Sequence, residues 1–388
     1  MKRISILFLI FLIFFTCLLT SAWPQPQINW SHKIISIDPP GAATGPFQGT
    51  QAPGINAAGT VTGFFSDSNN VMHGFVRSCQ GEIKTFDAPG AGSQSVPGFV
   101  ATPVGVYTGQ GTYPFSINPE GAITGFYADS DNVAHGFVRW PNGAFLTFDV
   151  KGAGTAAGQG TEALNISPSG EIAGDVIDSS NVTHAFVGYP RIGFVVFDAK
   201  GAGNHSGQGT FAGVASSITP EGVVTGWLID NNFVAHGWIR EPYGAINTFD
   251  APGAGTAPGQ GTTSWSIIPS GSVTAEVVDA GSVAHAFIRD KQGDFTVFDV
   301  SGAGTGAGQG TIGEGIGTAD AVTGQYIDSG GVNRGYVRDR NGNVTKFDAP
   351  GAGTSAGQGT VPLTPSPTGA IAGAYFDGNN ALHGFVRF

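Results

Sequence analysis

Short apolar stretches alternate with turn-forming residues along almost the whole chain, and nothing beyond the N-terminal segment has helical periodicity. In a typical stretch, residues 112–121, 122–129, 133–140 and 144–149 are rich in Val, Ile, Phe, Tyr and Thr. Pro, Gly, Asn, Asp and Glu occupy the short segments between them. This pattern predicts four short antiparallel strands connected by tight turns.

The four-strand pattern recurs through the chain, and a loop of the type "FDAPGAGTAPGQGT" follows each repeat. Four strands at a period near 49 residues predict an all-β fold, a seven-bladed β-propeller of four-stranded antiparallel blades. An insertion at 93–108 and three extra residues near 211–222 lengthen two repeats. The last predicted strand of each repeat ends in an Asp, at Asp38, Asp87, Asp149, Asp198, Asp250, Asp299 and Asp348.

The two ends of the repeat region complement each other. Residues 32–43 form a fourth strand with no first three, and residues 381–388 form a third strand with no fourth. We therefore expect the N-terminal strand to complete the last blade and to cover its open edge. The predicted propeller domain spans residues 34–388.

The first 22 residues have the composition of a secretory signal peptide. Lys2 and Arg3 precede the apolar run 6–19, and small residues end the segment at Ala22. We expect cleavage there, a short linker at 23–33, and no membrane span in the mature chain. The sequence therefore predicts a secreted, extracellular protein, although a periplasmic or cell-surface location stays open.

Composition excludes some classes of function. The formal net charge is −11 and the isoelectric point is near 5.0, whereas non-specific nucleic-acid binding needs a basic surface. The glycines of the recurring loop do not follow a nucleotide-binding spacing, and no zinc-ligand or catalytic-serine motif is present. We expect no cofactor, no nucleic-acid partner and a monomer.

An Asp and a His recur six residues apart, on either side of the predicted turn between the second and third strands. A structural role predicts an Asp–His hydrogen bond that fixes this hairpin; the alternative is metal binding or acid–base catalysis. Arg, a poor metal ligand, replaces His in one repeat and favours structure. The pairs are Asp67/His73, Asp129/His135, Asp178/His184, Asp230/His236, Asp279/His285, Asp328/Arg334 and Asp377/His383.

We predict no metal site, since the turn sequences keep their turn-forming residues and not their oxygen ligands. The turn that contains Asp129 and Asp131 has the oxygen spacing of a calcium loop, so Ca²⁺ binding there stays open.

The motif "AHGFVR…FxTFDxPGAG…INxxGxITGxYxD" resembles that of the bacterial extracellular HAF-repeat proteins. The His-Ala-Phe core occurs here at 184–186 and 285–287, and as "HGF" or "HGW" in other repeats. The resemblance covers residues 34–388. It implies export and a propeller-like fold, and it implies no established chemistry.

A reaction needs differentiated groups, so candidate ligand-binding residues are those that interrupt the repeat. They are Tyr107 in the insertion, Tyr113, His205 and Glu314. Our first hypothesis is a non-catalytic binding or scaffold protein. The face that carries the loops between repeats, the top face of the predicted propeller, would engage a glycan, an envelope component or a protein. The alternative is a secreted carbohydrate-active hydrolase or lyase with a pocket at the channel mouth. The scarcity of interruptions favours binding over catalysis.

Overall fold

A computed structural model describes residues 33–95, 100–102, 105–107, 109–214 and 216–388. The predicted signal peptide (1–22) and linker (23–33) fall outside these residues, except for Lys33. Within the described part the only helical element is the 3-10 turn Thr318–Asp320, and all other regular structure is β-strand. The all-β prediction is confirmed.

The first strand of each repeat lies at the centre of the molecule, where first strands of neighbouring repeats contact one another. Their residues are mostly buried, and a bulge interrupts several of them. These inner strands are β2 (Thr50–Ile55), β8 (Gly111–Ile117), β12 (Gly160–Ile166), β16 (Gly209–Ala212), β20 (Gly261–Thr262) with β21 (Ser266–Ile267), β25 (Gly310–Ile316) and β29 (Gly359–Pro365).

Each inner strand pairs antiparallel with a second strand, and nearly every second-strand residue is buried because both faces of the sheet pack against neighbouring repeats. The second strands are β3 (Val61–Ser66), β9 (Ile123–Ala128), β13 (Ile172–Ile177), β17 (Val224–Ile229), β22 (Val273–Val278), β26 (Val322–Ile327) and β30 (Ile371–Phe376).

Third strands follow, each with a fully buried aromatic ring near its middle, such as Phe137 or Trp238. These rings fill the space between repeats. The third strands are β4 (Met72–Arg77), β10 (Ala134–Arg139), β14 (Thr183–Tyr189), β18 (Ala235–Arg240), β23 (Ala284–Arg289), β27 (Asn333–Arg338) and β31 (Leu382–Arg387).

The fourth strands form the periphery and alternate between half-buried and exposed residues. In chain order after β4, β10, β14, β18, β23 and β27 they are β5 (Ile83–Phe86), β11 (Phe145–Phe148), β15 (Gly193–Phe197), β19 (Ile246–Phe249), β24 (Phe295–Phe298) and β28 (Val344–Phe347).

The N-terminal strand β1 (Ile34–Ile37) pairs antiparallel with β31, with Ile34 opposite Arg387. The first and last strands of the described residues therefore pair in one sheet, and the main hydrogen-bonded network has 29 strands. A separate hairpin, β6 (Val100–Thr102) with β7 (Gly105–Tyr107), belongs to the predicted insertion. This ring of repeated antiparallel sheets is a β-propeller fold.

Candidate functional site

The loop between one repeat and the next lies on one face of the ring, together with the turns between second and third strands. We call this the upper face. In one such loop, Gly158 donates to the Asn132 carbonyl at 2.9 Å, which ties the loop to the preceding repeat. Gln159 accepts from the Ala156 amide at 3.0 Å and donates to Asn181 Oδ1 at 3.0 Å, which ties it to the following one. The polar groups of the loop are thus committed to joining repeats.

The threonine of "GQGT" completes the joint. Thr161 Oγ1 accepts the Val150 amide at 2.9 Å, and the same contact recurs in other repeats. In the first repeat the residue equivalent to Val150 is Pro39, which has no backbone N–H to donate. There Thr50 instead donates to Asp38 Oδ1 at 3.3 Å.

The predicted Asp–His pairs belong to larger sets, each with a turn Asp, a His and a strand-end Asp. The His Nδ1 lies 2.7 to 3.0 Å from the strand-end carboxylate. Its Nε2 lies 3.3 to 3.8 Å from the turn Asp that the sequence predicts as its partner. The strand-end Asp is therefore the closer partner. Each turn Asp also accepts two backbone amides of its own turn, as Asp129 does from Asp131 and Val133.

The predicted hydrogen bond between the His and its turn Asp needs correction in four of these sets. There the Nε2 atom lies 3.6 to 3.8 Å from the turn carboxylate, which is beyond hydrogen-bond distance. The strand-end Asp is the hydrogen-bond partner instead, because pairing with the neighbouring strand brings its carboxylate to Nδ1. The four bonds join His73 to Asp87, His184 to Asp198, His236 to Asp250 and His383 to Asp38.

The turn sequence explains much of the difference between sets. His135 and His285 do reach their turn Asp, at 3.3 Å to Asp129 and 3.4 Å to Asp279. In three of the other four sets an Asn side chain of the turn donates to the same carboxylate oxygen that faces the His, so the imidazole has a competitor. These donors are Asn69 to Asp67, Asn232 to Asp230 and Asn379 to Asp377.

The hydrogen bonds shift the pKa values of these groups. The hydrogen bond to Asp87 raises the pKa of His73. Burial lowers the pKa of His285, but its hydrogen bonds to Asp299 and Asp279 outweigh burial and the net pKa is raised. Burial raises the pKa of Asp129, but the turn amides and His135 together outweigh burial and the net pKa is lowered. The arrangement holds the imidazole between two carboxylates.

Arg334 takes the place of His in its repeat and keeps both contacts. Its Nη1 donates to Asp348 at 2.9 Å and its Nε to Asp328 at 3.3 Å. A guanidinium has no lone pair for a metal. The shared geometry of the His and Arg sets supports the hairpin-fixing hypothesis for these residues.

The structure separates the four sequence-predicted ligand-binding residues. His205 is exposed on an upper-face loop. Tyr107 lies in β7, and its side chain is outside the described part. Tyr113 is 1% exposed and donates its hydroxyl to the Gly109 carbonyl at 2.6 Å, so its side chain does not reach the surface. Glu314 is 7% exposed and lies among the inner strands.

Three further acids lie near the axis, and the sequence analysis did not single them out. Glu162 is opposite Asp175 in the pairing of β12 with β13, and Glu276 is in β22. Burial raises the pKa of Glu162 to about 7 and that of Glu276 to about 7. Burial also raises the pKa values of Asp175 and Glu314, and each has another acid nearby: Glu162 for Asp175 and Glu276 for Glu314.

A comparison of equivalent positions in the repeats would have found these acids. The fourth residue of each second strand is Phe64 in β3 and Phe126 in β9, but Asp175 in β13 and Glu276 in β22. Glu162 and Glu276 retain some exposure although protein surrounds them.

A pocket of about 250 Å³ opens on the axis at the face opposite the loops, which we call the lower face. Isoleucine and proline side chains from several repeats form most of its wall. Ser116, Asn165 and Thr364 supply polar groups. The apolar residues include Ile55, Ile117, Ile166, Ile218, Ile316, Pro119, Pro168, Pro220 and Pro269.

In the described part of the chain, no three or more His, Cys, Asp and Glu side chains are grouped to hold a metal ion. No helix in these described residues has the length and hydrophobicity needed to cross a membrane.

Comparisons with known proteins give neighbours by shape alone. No protein-family model matches the sequence, and no curated protein matches it. TolB from Acinetobacter baumannii aligns with 86% of this chain and 81% of its own, at 12% identity and a TM-score of 0.42. The lectin BP39L from Burkholderia pseudomallei aligns with 91% and 98%, at 12% identity and a TM-score of 0.46. Puromycin hydrolase aligns with 90% of this chain and 56% of its own, at 13% identity and a TM-score of 0.46.

Proposed function

We propose that the protein is an exported, seven-bladed β-propeller with four strands per blade that binds an extracellular partner without turning it over. The strand pairings support four-stranded blades, because three further antiparallel strands follow each inner strand. In the last blade β1 is the fourth strand, and it pairs with the third strand β31. The domain limits follow the sequence: a signal peptide at 1–22, a linker at 23–33 and the propeller at 34–388. The resemblance to HAF-repeat proteins fits export.

The observation that carries the binding function is a ring of half-exposed carboxylates on the upper face. The strand-end Asp side chains are 42 to 59% exposed, while a His or Arg holds each one in place. In the His135 set, Asp149 uses Oδ1 for the imidazole, which leaves Oδ2 free of it. Fixed acceptors that face solvent suit the hydroxyl donors of a glycan or the donors of a protein surface.

Repetition of the same acceptor around a ring favours a polymeric or repetitive ligand, because several weak contacts then add through avidity. His205 and Tyr107 lie in upper-face segments and remain proposed contact residues. Tyr113 and Glu314 are inside the molecule, so we assign them no direct contact with such a ligand.

The test is a glycan array, followed by retention on isolated cell-envelope polysaccharide. The triple variant D149N/D250N/D299N changes three strand-end carboxylates to amides of the same shape. We expect the wild type to bind and the triple variant to lose at least tenfold in apparent affinity. The lower-face variant Glu120→Gln should bind as the wild type does. Equal binding by all three proteins would contradict a role for the ring.

The enzyme alternative keeps one specific support, the pair Glu162 and Asp175 on the adjacent strands β12 and β13. Raised pKa values are what a carboxyl group needs to act as a general acid. Release of reducing sugar or of an unsaturated product from a polysaccharide, abolished by both E162Q and D175N, would establish this alternative. Such turnover without measurable retention on any glycan would overturn the binding proposal.

A further inference from the structure

Glu276, Glu314 and Gln325 occupy positions that hold three aromatic rings elsewhere in the molecule. Their counterparts by strand position are Phe64, Phe115 and Phe126. The Phe115 ring lies 5.7 Å from the Phe64 ring and 5.7 Å from the Phe126 ring, centroid to centroid.

Glu314 and Phe115 both sit at the bulge of an inner strand, between a pair of shifted register partners. The same local geometry therefore brings the three oxygen-bearing side chains together. The influence of Glu276 on the pKa of Glu314 agrees with this proximity.

The acceptor oxygens of this set have no hydrogen-bond donors among the described residues. Among the described residues neither carboxyl group has a hydrogen-bond partner, although Glu314 is only 7% exposed. The Oε1 atom of Gln325 is fully buried and also lacks a partner. A buried acceptor left without a partner destabilises the fold. The amide oxygen of Gln325 is such an acceptor, and neither carboxyl group is hydrogen-bonded within the described part of the chain.

Several other acids of the molecule do have their donors. Asp175 accepts the Ala212 amide at 2.8 Å, and the turn Asp residues accept backbone amides of their turns. Leu164 and Leu363 take the bulge position of Glu314 in two other inner strands, so the fold itself does not require an acid there. The requirements of the fold therefore do not explain why Glu276, Glu314 and Gln325 occupy these positions.

We propose that Glu276, Glu314 and Gln325 bind one divalent cation that prefers oxygen ligands, either Ca²⁺ or Mg²⁺. Two carboxylates match the charge of such an ion, and carboxylate and amide oxygens are its usual protein ligands, with water to complete the shell. Glu276 retains some solvent exposure, which gives the ion a route. The third ligand is the amide oxygen of Gln325, so the proposed site does not consist of three acidic side chains. The site is independent of the upper-face ring and departs from our expectation of no metal.

The experiment uses the full mature chain freed of metal with a chelator. Equilibrium dialysis against Ca²⁺ and, in a second arm, Mg²⁺ measures stoichiometry and affinity, and thermal unfolding measures the shift in Tm. We expect one saturable ion per chain and a higher Tm with the bound ion. E276Q and E314Q should each weaken binding at least tenfold, and the arm with the tighter binding identifies the ion.

Two control variants separate this site from others. E162Q alters a buried acid outside the set, and D131N alters the upper-face turn whose spacing resembles a calcium loop. Both should bind the ion as the wild type does. Should E314Q fail to fold, E276Q carries the test, and circular dichroism checks each variant.

Three results would overturn the proposal. They are the absence of saturable binding, binding of the same strength in E276Q and E314Q as in the wild type, and loss of binding in D131N. A small shift that never saturates and is equal in all variants would mean an adventitious ion only. Stabilisation by methylammonium, but by neither metal, would assign the set to an ammonium ligand and would also overturn it.

Discussion

The upper face and the axial core are built on the same repeats but treat polar groups in opposite ways. On the upper face each turn Asp has its amides and each His has its strand-end Asp, repeat after repeat. In the axial core one position holds Phe115 in β8, Leu164 in β12 and Glu314 in β25. The upper-face pattern repeats with most of its polar groups paired, whereas the axial pattern is varied and partly unsatisfied.

The difference indicates which polar residues serve folding. A group that recurs with complete partners stabilises each repeat, and its cost in desolvation is offset locally. Among the described residues Glu162, Glu276 and Glu314 lack such partners, and some other repeats carry aromatic residues at the equivalent positions. Departures from local consistency of this kind concentrate at functional sites. The recurring glycine-rich loops are joints, and the axial acids are the stronger indication of a ligand.

The largest expected effect comes from breaking an upper-face joint. Gly160 has a φ of +125°, and a Cβ there would overlap the carbonyl oxygen of Ala134 in the preceding repeat. We expect Gly160→Ala to lower the free energy of unfolding by about 3–4 kcal/mol, because backbone on both sides must move. Urea unfolding followed by circular dichroism measures the loss.

Gly158→Ala is the matched control in the same loop. Gly158 also has a positive φ, +78°, but a Cβ there would meet nothing within 4 Å. It should cost only about 1 kcal/mol, the conformational penalty alone. Similar losses for the two variants would show that the close approach between repeats is not what the joint requires.

The next effect, of opposite sign, concerns the axial core. Folding raises the pKa of Glu162 to about 7, so the folded state holds an extra proton between pH 4.5 and 7 and stability falls as pH rises through that window. E162Q removes this loss. We expect it to be more stable than the wild type by about 2–3 kcal/mol at pH 8 and nearly equal to it at pH 4.5.

Chemical unfolding at several pH values measures this difference, and the exposed Glu120→Gln serves as control. A difference between E162Q and the wild type that did not change with pH would show that Glu162 is not desolvated in the folded state.

Sequence patterns predicted the strands and the repeat, because short apolar stretches and the turn-forming residues between them specify structure locally along the chain. The pairing of β1 with β31 also followed, since both ends of the chain lacked complementary strands. The strand-end partner of each His was missed, because it depends on how third and fourth strands pair. Glu276 was missed because the sequence "VTAEVV" of strand β22 does not reveal that both faces of this strand are covered by protein.

A smaller gain in stability is expected where one upper-face turn departs from the pattern. Phe233 has a φ of +59°, where the equivalent residues Asn132 and Asn181 adopt this conformation more easily. Gln208 Nε2 is buried there without a partner, while its counterpart Gln159 donates to Asn181. Phe233→Asn should supply that acceptor and relieve the strained backbone, adding about 1–2 kcal/mol.

The free energy of unfolding in urea measures this gain. Phe233→Gly separates its two causes, because glycine relieves the strained backbone but supplies no acceptor, while Gln208 Oε1 keeps the His205 amide in both variants. An equal gain in Phe233→Asn and Phe233→Gly would mean that the acceptor for Gln208 contributes nothing.

The smallest effect distinguishes the Arg set from the His sets. His73 and His285 have raised pKa values, so their contribution to stability is complete below pH 6.5 and is lost as pH rises through the folded-state pKa. Arg334 stays charged throughout. We expect Arg334→His to cost about 0.5–1 kcal/mol at pH 8, since these groups are partly exposed, and less at pH 5.5. His73→Arg should make the opposite change. The unfolding free energies at the two pH values decide the point, because an equal loss at both would assign the effect of Arg334 to packing of its side chain and not to its charge.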